Sequence, residues 1–400
     1  MGIPRVAKPL YQRLSVRTFM AYRVAVLYAP ELDVGGVEES LKALFRLGDS
    51  DIEWFVLAPA SARFVESTKA SGVRFVLWRP KKIWDPSALF GLIGYFRQHK
   101  ISLAHINSPE VSVIAKLAAW LSGIPSVITI HLSPSEYFQG TSFVARFKKG
   151  VYLWVDALLS YIAKTHIIFN SKQTKAIEIK KFPYSLGRTH IVYNGADVTG
   201  FSAEKKNRIT NRKIFDVGPE TTVISFVGRL EKQKGLDLLL RAFHMVSQTH
   251  SNLRLWIIGA GSKLQDIMDY IEENKMENVV LWGSREDVAK LLSASDVFVL
   301  PSQYETMPIA LLEAMAVGVA SIATAVGENN LIINNGVNGL LIPTESVAEI
   351  VQALVRLIED PGLRSRLGKA GADTVTQFSL ERMVAGVMDV YQAALKQPKS

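Results

Sequence analysis

Two cations in the second half of the chain have the type and spacing that suit a diphosphate. Arg229 and Lys234 follow the apolar run 222–227 and precede a helix-like segment that begins at Leu236. A guanidinium offers a planar fork of donors and an ammonium a compact charge, and both suit phosphate oxygens. Gly228 places a small residue at the same turn. A loop of ordinary solvated cations is the alternative interpretation.

Two glutamates farther along the chain, Glu305 and Glu313, suit the hydroxyl groups of a sugar. Pro308 favours the first turn of a helix, because its ring fixes φ and its missing N–H needs no partner there. Glu305 then lies before the helix, and Glu313 about 1.5 turns inside it. Free N–H groups beside Thr306 and Met307 would favour a phosphate, and carboxylates accept hydrogen bonds from hydroxyl groups. A chance pair of surface glutamates is the alternative.

Two glycines, Gly259 and Gly261, follow the apolar run 253–258 and precede another helical segment. They resemble part of a dinucleotide-binding fingerprint, but the third glycine position holds Leu264. The pair favours close approach of the backbone to a ligand. An NAD-dependent oxidoreductase rests on this pair alone and is the weakest of the functional alternatives.

The elements that must position these residues are short apolar strands alternating with helices. Such runs suit parallel strands that are buried on both faces. The predicted strands are 23–28, 53–58, 73–78, 101–106, 126–130, 166–169 and 190–193 in the first half, and 222–227, 253–258, 279–282, 297–300, 319–323 and 339–342 in the second. Three closing helices are predicted at 347–358, 361–376 and 380–395. Ligands should bind at the carboxyl ends of the strands.

This pattern predicts an α/β protein with two Rossmann-like, doubly wound parallel-sheet domains that face each other across a cleft. The predicted parts are a basic N-terminal tail (1–21), an N-terminal Rossmann-like domain (22–198), an interdomain linker (199–213), a C-terminal Rossmann-like domain (214–376) and a terminal helix (377–400). The linker is placed in a polar, charge-rich stretch.

The charge of the 400-residue chain is unevenly distributed. Residues 1–200 contain 25 Lys+Arg and 14 Asp+Glu, a net charge of +11, whereas the second half has −2 of the total +9. A basic half indicates an anionic partner, which could be a membrane surface, a phosphorylated lipid or nucleic acid. A basic surface that serves solubility alone is the alternative. No nucleic-acid-binding module is recognised, so nucleic acid is not expected.

The composition and the apolar stretches limit the function further. The chain has no cysteine, which excludes disulfides, thiolate zinc sites and cysteine nucleophiles. No convincing signal peptide is present, and the longest apolar stretch, 117–130, is short of the roughly 20 residues that span a bilayer. We expect a soluble cytoplasmic protein, with peripheral contact at the cytoplasmic face of the membrane.

Two segments in the basic half suit a lipid headgroup interface, a diphosphate or the face of a sugar. Residues 78–84 interleave tryptophans with cations, and the basic segment 143–150 runs into a helix. Apolar residues recur on that helix at helical spacing: Phe143, Phe147, Val151, Trp154 and Leu158. The stripe indicates either a core-facing helix or a membrane-associated one. An Asp49-Ser50-Asp51 triplet resembles a metal-binding motif, but it precedes a strand and so lies on the wrong side of the sheet.

Taken together, the motifs resemble those of retaining GT-B glycosyltransferases of glycosyltransferase family 4. The resemblance covers residues 22–395, and the motifs follow one another along the chain in the same order as in the family. The motifs are Gly35-Gly36-Val37-Glu38, residues 192–197, Gly228-Arg229 with Lys234-Gly235, the Glu-x7-Glu pair Glu305 and Glu313, and residues 335–341.

The resemblance implies a hexosyltransferase that moves a hexose from a nucleotide sugar to a glycan or lipid-linked acceptor in cell-surface polysaccharide or glycolipid synthesis. A UDP-sugar is favoured over GDP-mannose, and neither a cofactor nor a metal is expected. It also implies retention as the stereochemical outcome, an acceptor-binding N-terminal domain, a nucleotide-sugar-binding C-terminal domain, and a C-terminal helix that returns to the first domain. A catalytically silent protein that binds a nucleotide sugar is the alternative.

The resemblance also assigns roles to individual residues. The implied contacts are Arg229 and Lys234 with the diphosphate, Glu305 and His131 with the donor sugar, Glu313 with the ribose, Gly35 and Gly36 with the phosphate, and the backbone near Gly259, Gly261 and Arg285 with the base. Two segments depart from the family pattern. Pro308 stands in the glycine-rich part of the first glutamate motif, and residues 326–330 replace a Gly-Gly-x-Pro-Glu segment.

Overall fold

Two parallel sheets form the framework of the protein, and their strands coincide with the apolar runs of the sequence. The computed structural model describes residues 22–30, 36–80, 85–131, 143–182, 184 and 186–396, without the side chains of 143–149. Each predicted strand is present within two residues of its expected ends. The predicted α/β architecture of two doubly wound sheets is therefore confirmed.

Within the described residues, the first sheet has seven strands in the order β3-β2-β1-β4-β5-β6-β7. The strands are β1 Tyr22–Leu27, β2 Ile52–Leu57, β3 Arg74–Val76, β4 Leu103–Ile106, β5 Ser126–Ile130, β6 His166–Phe169 and β7 Thr189–Ile191. The strand order reverses between β1 and β4, so the loops that follow these two strands flank a crevice at the carboxyl edge.

The second sheet has six strands in the order β10-β9-β8-β11-β12-β13. They are β8 Thr222–Val227, β9 Leu253–Ile258, β10 Val279–Gly283, β11 Val297–Leu300, β12 Ala320–Thr324 and β13 Leu340–Ile342. Its order reverses between β8 and β11. The loops after these strands carry Lys234 and Glu305, respectively, which places both side chains at the switch point of the sheet.

Helices cover both faces of the sheets. They are α1 Gly36–Leu47, α2 Ala62–Thr68, α3 Pro86–Gln98, α4 Ser112–Leu121, α5 Phe143–Ile162, α6 Lys172–Lys181, α7 Val198–Glu204, α8 Arg208–Ile214, α9 Leu236–Ser247, α10 Leu264–Glu273, α11 Val288–Ala294, α12 Ile309–Val317, α13 Asn329–Ile332, α14 Val347–Glu359, α15 Pro361–Val375 and α16 Leu380–Leu395. Successive residues of β1 enter different cores, since Val24 and Val26 pack on one side of the sheet and Ala25 and Leu27 on the other.

The segment 199–213 is helical, although its polar composition suggested a linker. Most of it belongs to α7 and α8, and these helices pack on the second domain. Arg208 and Arg212 of α8 both pair with Asp296, at 2.7 and 3.0 Å. Charged residues of this segment therefore attach α8 to the second domain, and the segment is not an extended linker.

The chain passes between the domains twice, and the two crossings lie side by side. Ala196 N–H donates to the Phe378 carbonyl at 2.9 Å, and Leu380 N–H donates to the Ala196 carbonyl at 3.1 Å. A Cβ on Gly195 would lie only 2.5 Å from the Ser379 carbonyl oxygen, so the close approach of the two crossings requires glycine there.

The last helix, α16, packs on the first domain. Its buried residues Val384, Val387 and Tyr391 share a core with Val24 and Val26 of β1. The Tyr391 hydroxyl also lies 2.6 Å from Nδ1 of the buried His105 on β4. Residues of α16 thus complete the hydrophobic core that also contains β1.

The apolar stripe on α5 does not face the core. Val151, Trp154 and Leu158 are each about half exposed, whereas the core side of the helix carries Tyr152 and Leu153. The core-facing interpretation of the stripe is therefore wrong for these three residues, because a different apolar face of the same helix is buried. Within the described part of the chain, no helix is both long and apolar enough to cross a membrane.

Several sequence-based expectations concern residues outside the described ranges. They are the basic tail 1–21, Gly35, the Lys81–Trp84 part of the aromatic and basic loop, the segment after His131 beginning at Leu132, and the side chains of Phe143 and Phe147.

Candidate active site

Lys234 and Glu305 form an ion pair at the switch point of the second sheet. Lys234 Nζ lies 2.6 Å from Glu305 Oε1, and the two side chains are 15% and 8% exposed. Ser302 Oγ donates to the same carboxylate oxygen at 2.7 Å. Lys234 ends a short 3-10 turn, and Gly235 begins the approach to α9 with φ 65°. A largely desolvated ammonium, held by one carboxylate, is thus placed where a diphosphate could approach it.

The glycines after β9 allow two loops of the protein to touch each other. A Cβ on Gly259, whose φ is 143°, would lie 1.9 Å from the Gly228 carbonyl oxygen. A Cβ on Gly261 would lie 2.5 Å from the Leu230 carbonyl oxygen. These glycines therefore admit the neighbouring backbone of the β8 loop, and their close approach to a ligand stays a prediction.

The remaining cations of the second domain differ in how they are engaged. Arg229 is exposed and forms no salt bridge within the described ranges. Arg285 pairs with Asp287 at 2.8 Å and stacks over the ring of Trp282 at 5.4 Å. Arg229 is thus free to meet an anion. The guanidinium of Arg285, just after the carboxyl end of β10, is already paired with Asp287.

Glu313 lies on α12, partly buried and close to other acidic groups. Burial, together with the smaller effect of the nearby carboxylates of Glu39 and Asp197, raises its pKa to about 8. Glu39 belongs to α1 of the first domain, so the acidic group spans the cleft. Glu313 is thus largely protonated at neutral pH before a ligand binds.

Polar side chains follow consecutive strands at the carboxyl edge of the first sheet. His131 follows β5, and its Nδ1 accepts a hydrogen bond from Asn170 Nδ2 at 3.1 Å. Its Nε2 lies 3.4 Å from Asn107 Oδ1, and Asn170 Nδ2 also donates to Asn194 Oδ1 at 2.7 Å. Burial lowers the pKa of His131 to about 4, so its imidazole is neutral at physiological pH.

Several contacts join the two domains at this edge. Thr306 Oγ1 donates to the His131 carbonyl at 3.1 Å, and Asn194 Nδ2 donates to the Met307 carbonyl at 3.4 Å. A Cβ on Gly36, at the start of α1, would lie 3.0 Å from Ile309 Cδ1. The beginnings of α1 and α12 therefore meet across the cleft, together with His131.

A further contact comes from the loop that departs from the family pattern. Glu328 is 5% exposed, and its Oε1 accepts hydrogen bonds from the backbone N–H groups of Lys172 and Gln173 at 2.6 and 3.4 Å. These groups belong to the first turn of α6, where a carboxylate is favoured by the helix dipole. The unusual loop thus fastens the second domain to the first.

A cavity of about 120 Å³ opens beside His131 in the first domain. Its walls include Asn107, Ile130 and the inner face of α5, through Leu153 and Asp156. Asp156 is held by the buried Lys116, whose Nζ lies 2.7 Å from its Oδ2. This ion pair anchors α5 against α4, so one face of α5 lines the cavity while its exposed apolar face points away from it.

The structure brings together Lys234, Glu305, Thr306 and His131, as the sequence suggested, but it adds residues that were not singled out. Ser302 positions Glu305, Asn170 contacts His131, and Glu328 joins the domains. Only one signal pointed to Asn170, namely its place directly after a strand. The Asp49-Ser50-Asp51 triplet precedes β2, at the edge of the first sheet opposite to the strands' carboxyl ends.

Comparisons with known proteins identify the family of the chain. Residues 34–199 match the model of Glycosyltransferase Family 4, and residues 207–374 match that of Glycosyl transferases group 1. The chain is 28% identical to the UDP-Gal:alpha-D-GlcNAc-diphosphoundecaprenol alpha-1,3-galactosyltransferase of Escherichia coli over 77% of this chain and 80% of that protein. It is 26% identical to the alpha-maltose-1-phosphate synthase of Mycobacterium tuberculosis over 73% and 79% of the two chains.

A solved structure shows the same arrangement of domains. The chain superposes on HepE from Anabaena in complex with UDP-glucose with a TM-score of 0.80 at 18% identity, covering 93% of this chain and 99% of that one. With the two family models matched in order along most of the sequence, the chain belongs to the GT-B glycosyltransferases of the family 4, group 1 type.

Proposed function

We propose that this glycosyltransferase moves a hexose from a UDP-sugar to a lipid-linked or glycan acceptor, with retention of configuration and without a metal ion. The observation that carries the proposal is the desolvated Lys234–Glu305 pair at the switch point of the second sheet. Two relatives support the donor and the acceptor, since one is named for UDP-Gal and a diphosphoundecaprenol acceptor and another was solved in complex with UDP-glucose.

The proposed chemistry is mainly electrostatic. As the bond from the sugar C1 to the diphosphate loosens, negative charge grows on the leaving group and positive charge on the sugar. Lys234 and the exposed Arg229 would stabilise the leaving group, and the first N–H groups of α12 lack partners within the helix and suit the same anion. Glu305 and His131 would hold the sugar hydroxyls, which keeps C1 in line with the acceptor.

A panel of nucleotide sugars tests the donor. We expect UDP-glucose or UDP-galactose to raise the melting temperature and to be hydrolysed slowly or transferred, with GDP-mannose weaker, because a ligand that binds the native state stabilises it. Turnover should be unchanged by EDTA. Transfer that requires a divalent cation would refute the metal-independent mechanism, and binding without any turnover would instead identify a catalytically silent nucleotide-sugar-binding protein.

We further propose that α5 brings the first domain to an anionic membrane surface, where a lipid-linked acceptor would be found. Trp154, Leu158 and Tyr161 are each at least half exposed. The opposite face of the same helix lines the cavity beside His131. The net charge of +11 in residues 1–200 favours anionic headgroups. An acceptor anchored in such a membrane would thus arrive beside the cavity.

Vesicle cosedimentation tests this contact. Vesicles that contain anionic lipid should retain the wild-type protein better than neutral vesicles, and Trp154→Glu should weaken this binding because it places a charge on the apolar face. Met245→Glu is a matched control, since Met245 is equally exposed on α9 of the second domain. Equal binding to both kinds of vesicle, or an equal loss in both variants, would refute the proposal.

A further inference from the structure

A continuous series of hydrogen bonds runs from the second domain to His131. It begins at the Met307 carbonyl, passes through the side-chain amides of Asn194 and Asn170, and ends at His131 Nδ1. The distances along the series are 3.4, 2.7 and 3.1 Å. Asn170 is 3% exposed, so its amide has little access to water.

The first member of this series determines the orientation of the others. A backbone carbonyl can only accept a hydrogen bond, so Asn194 must turn its NH₂ group towards Met307 and its oxygen towards Asn170. That oxygen in turn requires the NH₂ group of Asn170, which has a second N–H available for His131. Nδ1 of His131 must therefore be an acceptor without a proton. In a neutral imidazole the proton is then on Nε2.

We propose that Asn170 is a positioning residue that holds His131 in the Nε2–H tautomer, so that the histidine presents a hydrogen-bond donor to the cleft. His131 and Asn107 both line the cavity at this edge, and the 3.4 Å separation of Nε2 from Asn107 Oδ1 leaves that donor weakly engaged. A sugar hydroxyl that accepts from Nε2 would fit this arrangement. The catalytic part of the inference rests on the proposed function, whereas the tautomer does not.

The same series makes the tautomer depend on closure of the cleft. The Met307 carbonyl precedes α12 of the second domain, and the three side chains belong to the first. Separation of the domains would remove the carbonyl and allow both asparagine amides to turn over. His131 would then be held as a donor only when the domains are closed around the substrate.

Nitrogen-15 NMR of the histidine side chains in the full-length chain tests the tautomer directly. The His131 resonances are assigned by their loss in His131→Gln. At neutral pH, wild-type His131 should show a protonated Nε2 and an unprotonated Nδ1. Asn170→Asp should reverse this pattern, because a carboxylate cannot donate and instead accepts a hydrogen bond from a protonated Nδ1. Asn170→Ala imposes neither tautomer, so His131 should show a mixture of the two. This variant carries the test if the aspartate variant does not fold.

Two controls accompany the measurement. His166 and His190 lie on strands β6 and β7, and Nδ1 of His166 is 2.9 Å from Nε2 of His190. The resonances of these two histidines should not change. Asn274→Asp changes a partly buried asparagine at the end of α10, and it should alter neither His131 nor turnover. A proton on Nδ1 in the wild type, or His131 resonances that do not change in Asn170→Asp, would overturn the proposal.

Kinetics separate this inference from the proposed function. With an active donor, Asn170→Asp should lower kcat by about 10²-fold while the donor KM changes little, since a misplaced catalytic group loses orientation rather than binding. An unchanged kcat with a reversed tautomer would overturn the positioning role. Absence of transfer from every donor in the wild type would refute the proposed function, and the NMR result would still decide the tautomer.

Discussion

Lys234→Ala is expected to reduce transfer by about 10²- to 10³-fold in kcat, which is the scale seen when one preorganised donor to a developing negative charge is removed. The Lys234 side chain is only 15% exposed, so the interaction of its ammonium with a diphosphate is little screened by water. Lys232→Ala is the matched control, because Lys232 stands in the same short turn but is exposed. Steady-state kinetics with a UDP-sugar and its acceptor measure the effect.

The same substitution should also lower the stability of the protein, because it leaves Glu305 buried without its cation. Breaking a buried ion pair in this way costs about 3–5 kcal/mol. The double variant Lys234→Met with Glu305→Gln removes both charges and should recover most of that loss while transfer stays absent. Full turnover in Lys234→Ala, or full stability with no change in melting temperature, would contradict the assignment.

Glu313→Gln is expected to stabilise the protein in alkaline solution and to weaken donor binding there. The folded-state pKa of about 8 lies above the ordinary glutamate value of 4.5. Between these two values the folded state holds a proton that the unfolded state has lost, so the free energy of unfolding falls as the pH rises. The penalty is complete above pH 8. Glutamine carries no such penalty, and at about 1.4 kcal/mol per pKa unit the difference between the two values corresponds to a gain of up to about 5 kcal/mol.

The pH dependence distinguishes Glu313 from an ordinary surface carboxylate. Below pH 4.5 the wild type and Glu313→Gln should unfold with similar free energies, and the difference should grow up to pH 8. Donor affinity should differ little at pH 6.5 and fall in the variant at pH 9, where only the wild type offers an ionised carboxylate to the ribose. Glu272→Gln, an exposed change on α10, should show neither effect. A pH-independent difference in stability would refute the raised pKa.

The positions of the strands along the chain follow from the pattern of apolar runs. Runs such as 222–227 and 297–300 suit strands that are buried on both faces, and ligands bind where such strands end. The burial of α5 could not be predicted, because Tyr152 and Leu153 on one face are as apolar as Trp154 and Leu158 on another. Spacing identifies an apolar face, but tertiary packing decides which of two faces is covered.

The contacts between the domains could not be predicted from the sequence either. Glu328 meets the first turn of α6 across more than 150 residues of chain, and Asn194 meets Met307 across more than 100. No local pattern encodes such pairs, because they depend on how two separately folded sheets face each other. Similarly, the sequence pattern at Gly259 and Gly261 predicts a close approach of the backbone, but it does not distinguish a ligand from a neighbouring loop as the group that approaches.

The return of α16 to the first domain bears on how the chain folds during synthesis. Seven of its residues belong to the core that also contains β1, so this core stays open until the last helix has left the ribosome. The second domain lies between the two crossings and has all of its strands by residue 342, so it can fold while the first is still incomplete. The domain that begins the chain is therefore expected to finish folding last, and a nascent chain that lacks residues 380–395 should expose apolar surface around Val24 and Val26 to chaperones.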